Sequence, residues 1–426
     1  MALAFLILGC TDSEPGLEST GVNQVSTTTE PAEPTNLFIL GQQARQAKTA
    51  EDWASARDLY LQALEIAPRH PIVYERLAET EVRLGNYDSA VGHLKVLARL
   101  GGTSGQLDQD AFKPLIGHPG FEEVAGQIRV NAAPQDPAEI VIIFEDKNLS
   151  PEGLAWDSET GDLFTGSFLL RKIVRISADG TVSDLGDSAS DELGAVLGMW
   201  VDAERRELWA AAGSTSMEEM THPAELVRYN VDTGELLARY PAPDPEQILL
   251  FNDVVVTADG TAWMTESLIG GLHRVPPGGQ DLELFVEFPQ FGFANGIAAS
   301  GDGTTIYVAH AEGLSAIDVT TGVIERVLPE ADFSLVAADG LNWHDGSLIL
   351  VQNQPSLNNR VIRAELDSTG RRVTAIYRLP AGLPSGLDPY TCAVAEGEVY
   401  VTISPPIAPD VNLEDAPHPG IVRLKL

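Results

Sequence analysis

Basic residues are scarce in this chain: 27 Lys and Arg stand against 62 Asp and Glu, a formal net charge of −35. No basic patch survives in such a field, so nucleic acid and an anionic membrane surface are excluded as expected partners. The same charge favours cations, and it suits solubility in a salty or extracytoplasmic medium. Cysteine is scarcer still. Two residues, Cys10 and Cys392, are too few for a disulfide framework, and they lie in segments with no reason to meet. The apolar run at residues 1–9, MALAFLILG, is too short to span a bilayer.

Each cysteine has its own reading. Ile7-Leu8-Gly9-Cys10 resembles the lipobox of bacterial lipoproteins, in which the cysteine is lipid-modified and becomes the mature N-terminus. The resemblance implies a signal-like segment over 1–10, lipidation at Cys10 and an extracytoplasmic protein, in the periplasm or at the outer cell envelope, touching membrane only through that anchor. The segment departs from a secretory leader in having no Lys or Arg before the apolar run. Residues 11–36, rich in Thr, Glu, Ser and Pro and without periodicity, read as a disordered linker. Cys392 occupies an apolar slot in CAVAEGEVYVT, the setting of a buried structural thiol rather than a nucleophile.

Over 37–130 the spacing is helical. Trp53, Ala56, Tyr60 and Ala63 recur 34 residues later as Tyr87, Ala90, Leu94 and Leu97, the tetratricopeptide period. Small alanines let paired helices approach while the aromatics fill the groove between them. Pro68 ends one unit and Pro71 opens the next. Two units fall short of the usual three, so DAFKPLIGHPGFEEVAGQI is expected to cap the array with a further helix or two. Such a domain either binds a protein partner or serves as a packing adaptor, and the sequence leaves both open.

From 137 to 426 the texture is alternating β pattern broken by Gly, Asp and Pro turns. Innermost strands are expected near Glu152, Leu197, Asn252, Asn295, Asp339 and Tyr390, at spacings that suit four strands each. The predicted fold is mostly β, a six-bladed β-propeller with a small N-terminal α-helical, tetratricopeptide-like domain. The strand at 139–146, EIVIIFED, has no blade of its own and is expected to pair with GIVRLKL near the C-terminus, leaving no long edge open.

Four blade starts repeat one pattern, an oxygen-bearing residue, then a small or acidic one, then an apolar run: Glu152-Gly153-Leu154, Asn252-Asp253-Val254, Asn295-Gly296-Ile297 and Asp339-Gly340-Leu341. Taken singly, Asn and Asp at such places make turns. In register around a channel they converge, and two carboxylates with two amides form a hard-oxygen set of formal charge −2 that suits a divalent cation of calcium type. Zinc would call for His or Cys.

These pieces, with PEGLAWD at 151–157, FNDVVVTADGTAW at 251–263, ANGIAASGDGTTIYVA at 294–309 and ADGLNW at 338–343, are similar to the regucalcin/gluconolactonase-like propellers, also called senescence-marker-protein-like, with paraoxonases more distant. The resemblance covers about 150–426. It implies that Glu152, Asn295 and Asp339 ligate a divalent cation, Ca2+ in kind, that Asn252 ligates it or contacts substrate, and that Asp339 activates water against a small-molecule ester or lactone. Leu250 stands where gluconolactonase-like members carry a substrate-binding arginine, and Ala309-His310 replaces a frequent Asp-Ser, so a sugar-acid substrate is not implied. The alternative is a non-catalytic, metal-stabilised propeller acting with its helical segment as a binding or scaffold module.

Overall fold

The computed structural model describes residues 36–133, 135–186, 191–214, 222–244, 247–288, 292–408 and 411–426. Cys10 and all but the last residue of the linker at 11–36 lie outside them. Five α-helices come first: α1 (Leu37–Thr49), α2 (Trp53–Ile66), α3 (Pro71–Arg83), α4 (Tyr87–Arg99) and α5 (Phe121–Asn131). Their starts repeat, since α1 and α3 begin 34 residues apart and so do α2 and α4. Local chemistry sets those starts. Asn36 accepts the Ile39 N–H and Asp52 accepts the Ser55 N–H as N-caps, while Pro71 opens α3 where its missing N–H costs nothing. Ala44, Ala56, Tyr60 and Ala63 pack α1 against α2, and Ala90, Leu94 and Leu97 do the same for α4 against its neighbours. A short 3₁₀ turn at Lys113–Leu115 and α5 close the segment. No helix among the described residues is long and apolar enough to cross a membrane.

The rest is β. After β1 (Glu139–Ile143), one antiparallel meander comprises β2–β5 (Pro151–Trp156, Leu163–Ser167, Ile173–Ile176, Val182–Asp184). A second comprises β6–β9 (Ala195–Asp202, Glu207–Gly213, Glu225–Asn230, Leu236–Pro241), and a third β10–β13 (Phe251–Val256, Ala262–Glu266, Gly271–Val275, Glu283–Glu287). Then come β14–β17 (Ile297–Ala299, Thr305–His310, Gly313–Asp318, Ile324–Pro329) and β18–β21 (Ala338–His344, Ser347–Gln352, Arg360–Leu366, Arg372–Arg378). A short parallel pairing of β17 with β21 joins these two into one eight-stranded sheet. Last, β22–β24 (Asp388–Ala395, Glu398–Ser404, Gly420–Lys425) pair with β1, which lies antiparallel to β24 as expected of EIVIIFED and GIVRLKL.

Side-chain oxygens tie the turns between strands. In one of them, Asp318 Oδ1 accepts from the backbone of Thr320 and Thr321 while Gly322 takes φ +70°, a conformation that excludes most side chains.

The first strands of successive meanders touch in order: β2 packs on β6, β6 on β10, β10 on β14, β14 on β18, β18 on β22, and β22 returns to β2. Apolar side chains fill the gaps between neighbouring sheets. Phe164 and Leu208 meet in one gap, Phe251 and Leu226 in the next, and Trp263 and Ile306 in the third. Tyr307 stacks on Trp343 with ring centroids 5.7 Å apart, Ile349 shares a cluster with Val401, and Val174 shares one with Ile421. A ring closed in this way has no exposed inner edge. Cys392 is 2% exposed within the Ile349 cluster, and burial, then the nearby Asp253, pushes its thiol up, which keeps it inert.

Candidate functional site

The ring positions read from the sequence fall at the starts of the innermost strands. Glu152 lies in β2, Leu197 in β6, Asn252 in β10, Asp339 in β18 and Tyr390 in β22, while Asn295 lies two residues before β14. Register breaks against the hairpin partner occur at these places: between Pro151 and Leu154, Val196 and Met199, Phe251 and Val254, Ala338 and Gly340, and Pro389 and Cys392. Bulges of this kind kink a strand and re-aim its side chains. After four of the ring residues stands a glycine, Gly153, Gly198, Gly296 or Gly340, that a neighbouring strand approaches closely. A Cβ on Gly198 would lie 2.3 Å from Asp253 Cα, and one on Gly340 would lie 2.6 Å from Thr391 Cα. The recurring small residue therefore closes the ring.

Two predicted residues are in direct contact. Asn295 Nδ2 donates to Asp339 Oδ1 at 2.7 Å, and Asn353 Nδ2, just past β19, donates to Asp339 Oδ2 at 3.1 Å. Both carboxylate oxygens of Asp339 are thereby fixed, yet the residue stays partly exposed. Asn252 is held separately. Its Nδ2 donates to Ser267 Oγ at 3.0 Å, and that hydroxyl donates to Ala294 O at 2.5 Å, beside Asn295. Glu152 is 6% exposed. Its carboxylate is linked to Asp339 by electrostatic repulsion across the mouth rather than by a shared hydrogen bond.

Burial dominates that electrostatic pattern. It raises the Glu152 carboxyl well above the ordinary carboxylate range, and Asp339 and Asp253 add to the effect by repulsion. Burial likewise pushes Asp253 up to about 7 against the Val254 and Ile297 N–H groups that it accepts, with Asp339 raising it further. Asp339 is raised by burial and by Asp388, opposed by its bonds from Asn353 and Asn295. Asp388 is raised in turn by burial, although Asn359 Nδ2 donates to it at 2.5 Å. Glu152, Asp253 and Asp339 thus repel one another and Asp388 repels Asp339, and among the described residues the charged groups that act on Glu152 are carboxylates.

Three residues of this mouth lie outside the predicted ring. Asp253 stands within the recurring pattern, but in the slot filled by glycine after Glu152, Leu197, Asn295 and Asp339. Asn353 and Asp388 belong to no pattern at all, because they reach Asp339 through a hairpin end and through the adjacent sheet. One sector of the ring is apolar: Leu197 packs with Phe168, Leu169, Leu250 and Ile407. This wall is continuous with the polar sector, since Phe168 N bonds Ser150 O, next to β2, and Leu250 O accepts the N–H of Ser267, the partner of Asn252. The His310 ring pairs with Ser315 Oγ and the His418 ring with Phe144 O.

Among the described residues no group of three or more His, Cys, Asp or Glu could hold a metal ion. A cation here would need amide oxygens beside the carboxylates, which is a hard-oxygen donor set and not a zinc-type one.

Residues 150–349 match the SMP-30/Gluconolactonase/LRE-like region. Glu152, Asn252, Asn295 and Asp339 all fall within that region, whereas Asn353 and Asp388 lie beyond it. Solved structures similar to this chain include XC5397 of Xanthomonas campestris, described as a gluconolactonase. It is 19% identical, covers 70% of this chain and 92% of its own, and has a TM-score of 0.47. Another is regucalcin of Agrobacterium tumefaciens, described as a calcium-binding protein, at 16% identity, 69% and 97% coverage and a TM-score of 0.49. A third is the aldose sugar dehydrogenase of Streptomyces coelicolor in its PQQ-bound form, at 17% identity, 69% and 99% coverage and 0.46. The comparison with curated proteins gives no match.

Proposed function

We propose that this chain is a divalent-cation-dependent hydrolase of small esters or lactones, with calcium as the cation. We take the eight-stranded sheet as two blades, which makes the β domain a six-bladed propeller, and read the helices as a tetratricopeptide-like segment. The observation that carries the proposal is the Asn295–Asp339 contact at 2.7 Å between two predicted ligands, with Asp339 linked by repulsion to Glu152, Asp253 and Asp388. Buried carboxylates that repel one another are costly, and a bound divalent cation removes that cost. Glu152, Asn252, Asn295 and Asp339 would hold it.

When bound, such a cation polarises a carbonyl as a Lewis acid and stabilises the negative charge developing on its oxygen. The remaining tasks belong to the chain. Asp339, partly exposed and oriented by two amides, accepts the proton of the attacking water. Burial raises its basicity toward neutral pH and a nearby cation lowers it, so its strength as a base is set by the balance of the two. Asn252, anchored by Ser267, keeps its amide oxygen for cation or substrate. The wall of Leu197, Leu250, Phe168 and Ile407 excludes water on one side and favours an apolar substituent over a hydroxylated one.

Elemental analysis and calcium titration of the soluble chain beginning after Cys10, beside a Glu152→Gln, Asp339→Asn double variant, test this reading. One equivalent of metal in the wild type, lost in the variant, is expected, followed by turnover in a screen of lactones and esters. Metal without turnover would leave a binding or scaffold module; no metal in either protein would remove the hydrolase reading. We also propose an envelope location through lipid on Cys10, supported by the Ile7-Leu8-Gly9-Cys10 pattern. Cys10→Ala should shift the protein from the membrane to the soluble fraction, and unchanged fractionation would count against the anchor.

A further inference from the structure

The helical segment rests on the face of the β domain that carries the site. In an antiparallel meander whose first strand begins at the mouth, the second-to-third-strand connection and the end of the fourth strand return to that same face. The helices make their contacts at such places. Phe38 of α1 meets Phe293, two residues before Asn295, with ring centroids 5.7 Å apart, and Ala311 in the β15–β16 turn joins the same cluster. Beyond α4, Thr103 N donates to Ser356 O at 2.6 Å, in the β19–β20 connection that starts with Asn353.

Arg360 is the joint between the two parts. It is 3% exposed, stacks over Phe333 at 4.2 Å and donates in three directions: to Gly101 O at 3.2 Å, to Gln352 Oε1 at 2.7 Å and to Ser334 O at 3.3 Å. Gln352 Nε2 then donates to Ser334 O at 3.1 Å and Val336 O at 2.6 Å. Thus one guanidinium ties the C-terminal end of α4 to the residue before Asn353 and to the loop that leads into Asp339. Gly101 is shaped for that contact. Its φ is +73°, and a Cβ there would lie 2.8 Å from an Arg360 terminal nitrogen. One seam therefore holds the Asn295 side and the other holds the Asp339–Asn353 side of a pair that meets at 2.7 Å.

We infer that the helical segment is a positioning element of the site: through Phe38–Phe293 and Gly101–Arg360 it fixes Asn295 and Asp339 relative to one another, so that loosening either seam weakens cation binding. The inference rests on the cation reading above, and two measurements keep them separate. Three full-chain variants, Phe38→Ala, Gly101→Ala and Arg360→Met, are compared with wild type by amide hydrogen exchange over residues 293–297 and 336–353 and by calcium titration. Phe38→Leu serves as the conservative control, and circular dichroism checks that each is folded. The expected result is faster exchange in those two stretches and a dissociation constant raised about tenfold or more, with Phe38→Leu close to wild type.

Unchanged exchange in Phe38→Ala and Gly101→Ala overturns the inference whether or not calcium binds. Faster exchange with unchanged affinity overturns it too. Faster exchange in a protein whose wild type binds no calcium would retain the positioning role and remove the cation instead. If Arg360→Met fails to fold, the two remote variants still decide.

Discussion

Asp339→Asn is expected to lower kcat by roughly 10²- to 10⁴-fold, the range for losing a positioned general base, on any ester or lactone that the wild type hydrolyses. The fold should survive, for a specific reason. Asp339 accepts one amide hydrogen on each oxygen, from Asn295 and from Asn353, so an asparagine keeps one of these bonds and sets its own NH2 against the other donor. One lost pairing costs about 1–3 kcal/mol, which is offset in part by removing a carboxylate that Glu152 and Asp388 repel. Calcium affinity should fall in the same variant, because the substitution takes away formal charge from the donor set. Full activity in Asp339→Asn, with the metal still bound, would remove this residue from the chemistry and turn attention to Asp253 or Asp388.

Part of this site was legible in the sequence, and the reason is repetition. Glu152, Asn252, Asn295 and Asp339 share one place in a recurring unit, and a closed ring brings equal places together. The Asn295–Asp339 contact is the direct instance. Asp253 gives no such signal, because it holds the slot that serves close strand approach elsewhere, where Gly198 and Gly340 leave no room for a Cβ. Its carboxylate instead bridges to Ile297 N of the next sheet, an interaction with no local signature. Asn353 and Arg360 are invisible for a similar reason. Each acts across a hairpin or between two parts of the chain, and pairing partners that far apart leave no period to read. The helical repeat shows in its 34-residue spacing, but periodicity reports which helix faces are apolar and not which surface of another domain they will cover. It takes the contacts of Phe38, Gly101 and Thr103 to establish that the surface is the one with the mouth.

With the cation removed by chelator, the protein is expected to lose stability as pH rises from about 5 to 8, against the usual behaviour of paired carboxylates. The sign follows from linkage. Glu152, Asp253 and Asp339 all have folded pKa values above the ordinary carboxylate range, Asp253 at about 7. Between the unfolded value of about 4 and the folded one, the native state binds more protons than the unfolded chain, so the free energy of unfolding falls with increasing pH. The contribution is fully present below about 4 and is lost as pH passes through about 6 to 8, when the buried groups ionise with one another as neighbours. A tenfold change in a group's acidity on folding corresponds to about 1.4 kcal/mol, so the steepness of the chelator slope reads out how far the three groups are shifted together. Calcium should reverse the trend. It binds the ionised set, and a concentration about a hundred times its dissociation constant adds about 2.7 kcal/mol to the folded state, an effect that grows with pH instead of shrinking. Thermal melts at about pH 5, 6.5 and 8, each with chelator and with calcium, measure both slopes. Glu152→Gln should flatten the chelator slope and shrink the calcium increment in the same protein, since one carboxylate produces both. A chelated wild type that gains stability across that pH range would mean that the buried carboxylates are already compensated by protein groups, and the electrostatic case for a cation at this mouth would fall with it.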